Sequence, residues 1–301
     1  MSNKPPAADP PQGIAFALGA YLWWGLLPLY MKALVHIPPA EVLAHRVLWS
    51  LPVAALLLTL TRKWGALRAA LRSWRLLGMA AATATLLSIN WGIYIWAIST
   101  ERTLEAAMGY FINPLFSILL GAWLLREPLS KLQWTAVGLV TVAVVVFTAE
   151  AGQLPWGALG LVLSWSLFAL LKKELPLGAN EGFFIEIAML ATPALLYLGV
   201  AEHQGSATFG HGDWGDSLML AAAGIVTTVP LVLYGNGAKL LRLSTIGILQ
   251  YSAPTMIFLI AVFVFHEPFG PGKLVGFVLI WIALLLYTAP MLIKRRATPS
   301  S

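Results

Sequence analysis

RTLEAAMGYFINPLFSILLGAWLLREPLSKLQWTAVGLVTVAVVVFT, residues 102–148, is written twice in this chain. A shift of 140 positions carries Arg102 onto Arg242, Pro114 onto Pro254, Glu127-Pro128 onto Glu267-Pro268, Leu139 onto Leu279 and Thr148 onto Thr288. Each copy reads as an apolar helix with a proline inside it, an acidic-proline turn and a second apolar helix.

A proline inside a helix removes one backbone donor and frees the carbonyl four residues earlier, here that of Tyr110 and of Gln250. In hydrocarbon that carbonyl needs a new partner or a wet cavity. Repeated membrane proteins with interrupted helices near the midplane place binding sites at the interruption. The competing reading is a kink made only for packing, since proline is common in membrane helices.

The composition excludes a water-soluble globule. Of 301 residues, 59% are hydrophobic and 11% charged, against about 25% charged in soluble domains. A net charge of +6 would suggest nucleic acid in a soluble chain, but no basic stripe interleaves with aromatics. With no cysteine there is no disulfide and no thiol chemistry.

A membrane span needs about 20 mostly apolar residues. Ten stretches qualify, at 13–34, 41–60, 75–98, 104–125, 132–149, 155–172, 182–201, 217–238, 244–265 and 272–293. With a cytoplasmic amino terminus, the inner segments hold Lys4, Arg62, Lys63, Arg68, Arg72, Arg75, Arg126, Lys131, Lys172, Lys173, Lys239, Arg242, Lys294, Arg295 and Arg296. The outer ones hold Lys32, Arg102 and Lys273, and Arg46 sits within a span. That asymmetry places both termini inside.

The repeat extends beyond its best stretch, because Glu41 matches Glu181, Tyr94 matches Tyr234, and one residue of slippage aligns Trp24 with Trp165. Five spans per copy is an odd number, so the second copy enters the membrane upside down. The expected organisation is a disordered tail (1–12), a five-helix repeat (13–150), a second inverted five-helix repeat (151–293) and a cytoplasmic tail (294–301). It is an all-α integral membrane protein.

The segments EVLAHRVLWS (41–50), GYFINPL (109–115) and LSTIGILQYSAPTMIFLIAVFVFHEP (243–268) resemble the RarD proteins of the EamA-type drug/metabolite transporter superfamily. The resemblance covers nearly the whole chain. It implies ten helices in two inverted halves around a central cavity, in a bacterial inner membrane. One departure is LFALLKKE (167–174), where the resemblance implies a tyrosine and a glycine before the basic pair.

Gly109, Asn113, Ser117 and Gly121 recur every four residues, forming one small and polar stripe. Such a stripe either admits a close helix neighbour or lines a cavity. Gln250 and Tyr251 occupy the matching region of the second copy beside Pro254, as Tyr110 and Asn113 do beside Pro114. Asn90, Trp91 and Tyr94 cluster in span three, Tyr21 and Trp24 in span one, Trp165 in span six, and Thr227, Tyr234 and Asn236 in span eight. Tryptophan and tyrosine also anchor helices at the membrane interface, so each aromatic carries both readings.

Ionisable residues inside spans are functional candidates by default. His45 and Arg46 lie near the outer end of span two with Glu41 one turn away, and Glu186 is the repeat equivalent of Arg46. All are shallow enough to snorkel, so anchoring and gating both fit. His45, Arg46 and Glu186 form the gating or hinge set with Pro114 and Pro254.

Enzyme signatures are lacking. GPGK (270–273) is not a P-loop, and no HExxH or GxSxG occurs. No cofactor and no metal ligand set is expected. The reading is a secondary transporter working by alternating access on a small, neutral or amphipathic organic molecule, its partners being that molecule and the bilayer, with no nucleic acid. A membrane receptor or an intramembrane enzyme is the alternative.

Overall fold

The computed structural model describes residues 10–124, 130–241 and 243–296, and every regular element among them is a helix. Along the first half run α1 (Pro11–Ala33), α2 (Pro39–Leu60), the short α3 (Trp64–Ala70), α4 (Trp74–Ser99), α5 (Thr103–Leu124) and α6 (Lys131–Ala151). The second half holds α7 (Trp156–Glu174), α8 (Ala179–His203), α9 (Trp214–Leu240), α10 (Leu243–Leu249), α11 (Ser252–Leu259), a π-helical turn (Ile260–Val264) and α12 (Pro271–Arg296).

Helix ends follow local chemistry. Pro11 and Pro39 open α1 and α2, where a proline loses only an N–H that has no helical partner. Helix α6 starts in a capping box between Ser130 and Gln133 and stops at Gly152, whose φ of 68° a side chain would resist. Asp213 caps α9 by accepting from Gly215 N–H at 3.2 Å.

The ninth apolar stretch is not one helix. Gln250 and Tyr251 separate α10 from α11, at the carbonyl that Pro254 deprives of its donor. Pro114 holds the same position in the first copy, yet α5 runs through it unbroken. Glu127, Pro128 and Arg242 lie outside the described residues.

The principal helix pairings obey the sequence repeat, which carries α1, α2, α4, α5 and α6 onto α7, α8, α9, α10–α11 and α12. Three pairings join equivalent elements: α2 with α8, α5 with α11, and α6 with α12. The others come in exchanged couples: α1 with α9 and α7 with α4, α1 with α11 and α7 with α5, α2 with α9 and α8 with α4. The halves are therefore interlaced, each helix of one buried largely against the other. Some weaker contacts within the first half, such as α4 with α1, have no counterpart of similar extent among the described residues of the second.

Close approach is set by small residues. A Cβ on Gly224 of α9 would lie 2.0 Å from the Trp49 carbonyl oxygen of α2, so only glycine allows that crossing. Elsewhere aromatic rings fill the gaps: Phe277, fully buried, meets Phe258 at 4.7 Å, Phe147 at 5.4 Å and Phe111 at 6.1 Å between centroids.

Among the described residues, six helices (α1, α2, α4, α6, α8 and α9) are long and apolar enough to cross a membrane. Their outer surfaces are apolar too, with Leu56, Val145, Leu195, Leu196 and Leu218 more than half exposed. A surface so rich in apolar side chains is stable against lipid and costly against water.

Candidate functional site

Arg46 is seven residues inside α2, about 10 Å along its axis, and its side chain turns inward. It is 4% exposed, its Nε–H donates to Thr227 Oγ1 of α9 at 2.8 Å, and its guanidinium lies 4.1 Å from the Trp91 ring centroid of α4. The phenols of Tyr110, Tyr94 and Tyr30 are within electrostatic reach, and the Tyr94 and Tyr110 rings sit 6.0 Å apart. Arg46 Nη1 and the Tyr94 hydroxyl have no hydrogen-bond partner among the described residues. Snorkelling, open to this residue on sequence grounds, is replaced by a hydrogen bond and a cation–π contact that hold the charge inside.

The expected aromatic residues gather in two places. Trp91, Tyr94 and Tyr110 surround Arg46. Tyr21, Trp24 and Tyr234 form a separate triangle between α1 and α9, with centroid separations of 5.7, 5.9 and 5.8 Å. Trp165, 5.5 Å from Phe168, packs with it on the apolar cluster that contains Trp91. Next to the triangle, Trp23 Nε1–H donates to the Val226 carbonyl at 3.1 Å, the acceptor that Pro230 frees inside α9. A cleft of about 250 Å³ lies beside that contact, lined by Trp23, Leu26, Leu27, Tyr30 and Val226.

The amides are engaged in helix packing. Asn90 donates to the Leu161 carbonyl at 3.1 Å and to Ser164 Oγ at 3.0 Å, tying α4 to α7. Asn113 Oδ1 accepts from Ser166 Oγ at 2.7 Å, and a Cβ on Gly109 would lie 3.0 Å from the Ala158 carbonyl oxygen, so this part of the stripe meets α7. Asn236 is exposed and donates to the Val232 carbonyl of its own helix at 2.9 Å. Gln250 and Tyr251 flank the break before α11, and the Tyr251 hydroxyl is buried with no hydrogen-bond partner among the described residues.

The EamA-like transporter family matches residues 11–149 and again 155–289. The chain belongs to that family. It is 45% identical over 276 residues to Protein RarD of Streptomyces exfoliatus, covering 92% of this chain and 88% of that protein. It is 39% identical over 287 residues to Protein RarD of Escherichia coli strain K12, covering 95% and 97%. A solved crystal structure shares the fold at 19% identity with a TM-score of 0.61, covering 95% of this chain and 99% of its own. This EamA-family chain is thus an all-helical, multi-pass bacterial membrane protein.

Each buried carboxylate among the described residues has at least one partner, with Glu186 Oε2 left unbonded there. Glu41 accepts from Thr208 N–H at 2.7 Å, Thr208 Oγ1 at 3.1 Å and Phe209 N–H at 3.2 Å. His45 stacks on Phe209 at 4.7 Å, accepts from Trp49 Nε1–H at 3.2 Å and lies 4.0 Å from Glu41. Together they fasten the loop after α8 to the start of α2. Glu186 accepts from Thr83 Oγ1 at 2.7 Å and pairs with Lys172 at 2.6 Å. Glu267 holds the N-terminus of α5, and Glu181 lies 4.0 Å from Lys63. No group of three or more histidines, aspartates or glutamates among the described residues is placed to hold a metal.

Sequence reasoning named Arg46 and Trp91 but assigned them separate tasks. Thr83, Lys172 and Ser166 carried no local signal, because each acts only through a partner on another helix.

Proposed function

We propose that this chain is a secondary transporter that moves a small amphipathic organic molecule across the bacterial inner membrane by alternating access. The observation that carries the reading is the buried Arg46–Trp91–Thr227 cluster, which joins α2 and α4 of one half to α9 of the other. Ten spans in two inverted five-span halves, 13–150 and 151–293, with both termini cytoplasmic, let the halves rock about that cluster. The exchanged helix pairings support this, since a two-fold relation makes two opposite tilts nearly equal in energy. His45, Glu41 and the loop bearing Phe209 form the outer gate, and the break before Pro254 is a hinge.

The site takes its substrate on Trp91, Tyr94 and Tyr110, with Tyr21, Trp24 and Tyr234 a second aromatic wall on the path. Asn90 and Asn113 are helix-packing residues in this arrangement. The test is a thermal-stabilisation screen of the purified protein over amphipathic metabolites and antibiotics, followed by counterflow of each stabilising compound in proteoliposomes. Counterflow is expected. Stabilisation without any counterflow would move the reading to a receptor, and chemical conversion of a bound compound would move it to an enzyme.

A further inference from the structure

Arg46 brings a fixed positive charge into the interior, and nothing described there cancels it. An arginine remains protonated in proteins. Its Nε–H is taken by Thr227 Oγ1, a neutral acceptor, while Nη1 is buried without a partner. The Trp91 face offsets part of the desolvation, but a buried charge needs a counter-charge to be stable. Each buried carboxylate among the described residues is held elsewhere: Glu41 by Thr208 and Phe209, Glu186 by Lys172, Glu267 by Thr103 and Leu104, Glu181 near Lys63. The repeat equivalent sharpens the contrast, because Glu186, at the matching place on α8, has its ammonium partner at 2.6 Å.

A second unused donor stands in the same cluster. The Tyr94 hydroxyl is buried and unpartnered, within electrostatic reach of Arg46. Two donors without acceptors, one of them cationic, describe a receptor for an anion. Arg46 is the sole buried arginine or lysine among the described residues. A phosphate dianion would therefore bring one charge too many, and a cationic substrate would meet a like charge.

We infer that Arg46 and Tyr94 receive the carboxylate of the transported molecule, so that the substrate is an organic monoanion whose apolar body lies on Trp91, Tyr94 and Tyr110. This rests on the transporter reading for the word substrate, though the anion site stands without it.

The experiment uses the full-length protein in neutral detergent without anionic lipid. The probes are phenylacetate, indole-3-acetate and octanoate, each beside its own carboxamide, with sodium chloride as the inorganic anion. At least one carboxylate should raise the melting temperature and bind about tenfold more tightly than its amide, as a charge-assisted pair requires. The preference should vanish in Arg46→Gln and survive in part in Arg46→Lys, which keeps the charge and loses the planar fork. Carboxylates that bind no better than their amides overturn the inference, as does chloride protecting equally well. If Arg46→Gln does not fold, the carboxylate-to-amide ratio in the parent and in Arg46→Lys decides. A carboxylate preference without counterflow removes the transport reading and leaves the anion site. Counterflow of the amides with inert carboxylates does the reverse.

Discussion

Glu267 Oε1 accepts the backbone N–H of Thr103, 164 positions away, at 2.7 Å. Its other oxygen accepts from Leu104 N–H at 3.0 Å. A carboxylate from the turn before α12 in the second half thus caps α5 of the first, against two donors that no helical carbonyl reaches and with the favourable sign for the helix dipole. Glu267→Ala leaves both donors buried and bare, and should lower stability by about 1–3 kcal/mol. Glu267→Gln keeps one acceptor and should fall between. Thermal melts of the two variants check this, and an alanine variant as stable as the parent would strip the contact of structural weight.

Much of the fold was legible because each apolar run carries its own stop signals. The run 132–149 became Lys131–Ala151, bounded by Ser130 and Gly152, and 75–98 became Trp74–Ser99, whose first turn is capped by Ser73. Helix α3 was hidden: seven residues between runs leave no periodic signal. The tail was expected to end at residue 12, yet Pro11 already opens α1, since a proline is as good at the first helical position as it is bad further in. The environment of Arg46 was not legible at all. Its depth along α2 could be counted, but Thr227, 181 positions away, decides whether the side chain reaches for the surface or folds inward.

Orientation is testable because the chain has no cysteine. Ala66 is exposed on α3, and Ala207 lies in the loop that Glu41 fastens. With an impermeant maleimide on intact cells, Ala207→Cys should react and Ala66→Cys should react only after permeabilisation. Labelling of both from one side would remove the inverted arrangement on which alternating access depends.

Pro114 and Pro254 occupy equivalent places but differ in consequence, α5 being continuous and α10 being separate from α11. In Pro254→Ala the new N–H can bond the Gln250 carbonyl and join the two pieces. Amide hydrogen exchange over residues 249–255 should then slow by about tenfold or more, the sign of a local opening that has become rarer. Pro114→Ala should leave exchange along α5 nearly unchanged. Equal behaviour of the two variants would show that the break is held by the surrounding helices and that the proline merely tolerates it.

Asn113 separates helix packing from ligand contact. Its Oδ1 accepts from Ser166 Oγ at 2.7 Å, one turn from the place where Gly109 lets α5 approach α7. Asn113→Leu should therefore cost about 0.6–2 kcal/mol of stability, the range for interhelical hydrogen bonds in membranes. Ser166→Ala should cost a similar amount, and the double variant less than the sum, because both delete one bond. None of the three should alter the affinity of a stabilising ligand by more than about twofold, a change of about 0.4 kcal/mol. Trp91→Leu, which removes the ring under the Arg46 guanidinium, should weaken that ligand by about tenfold or more, adding lost stacking area to a lost cation–π contact. Calorimetric titration beside thermal melts distinguishes the two patterns. An affinity loss at Asn113 as large as that at Trp91 would add Asn113 and α7 to the binding site and extend it from the Arg46 cluster across to Ser166.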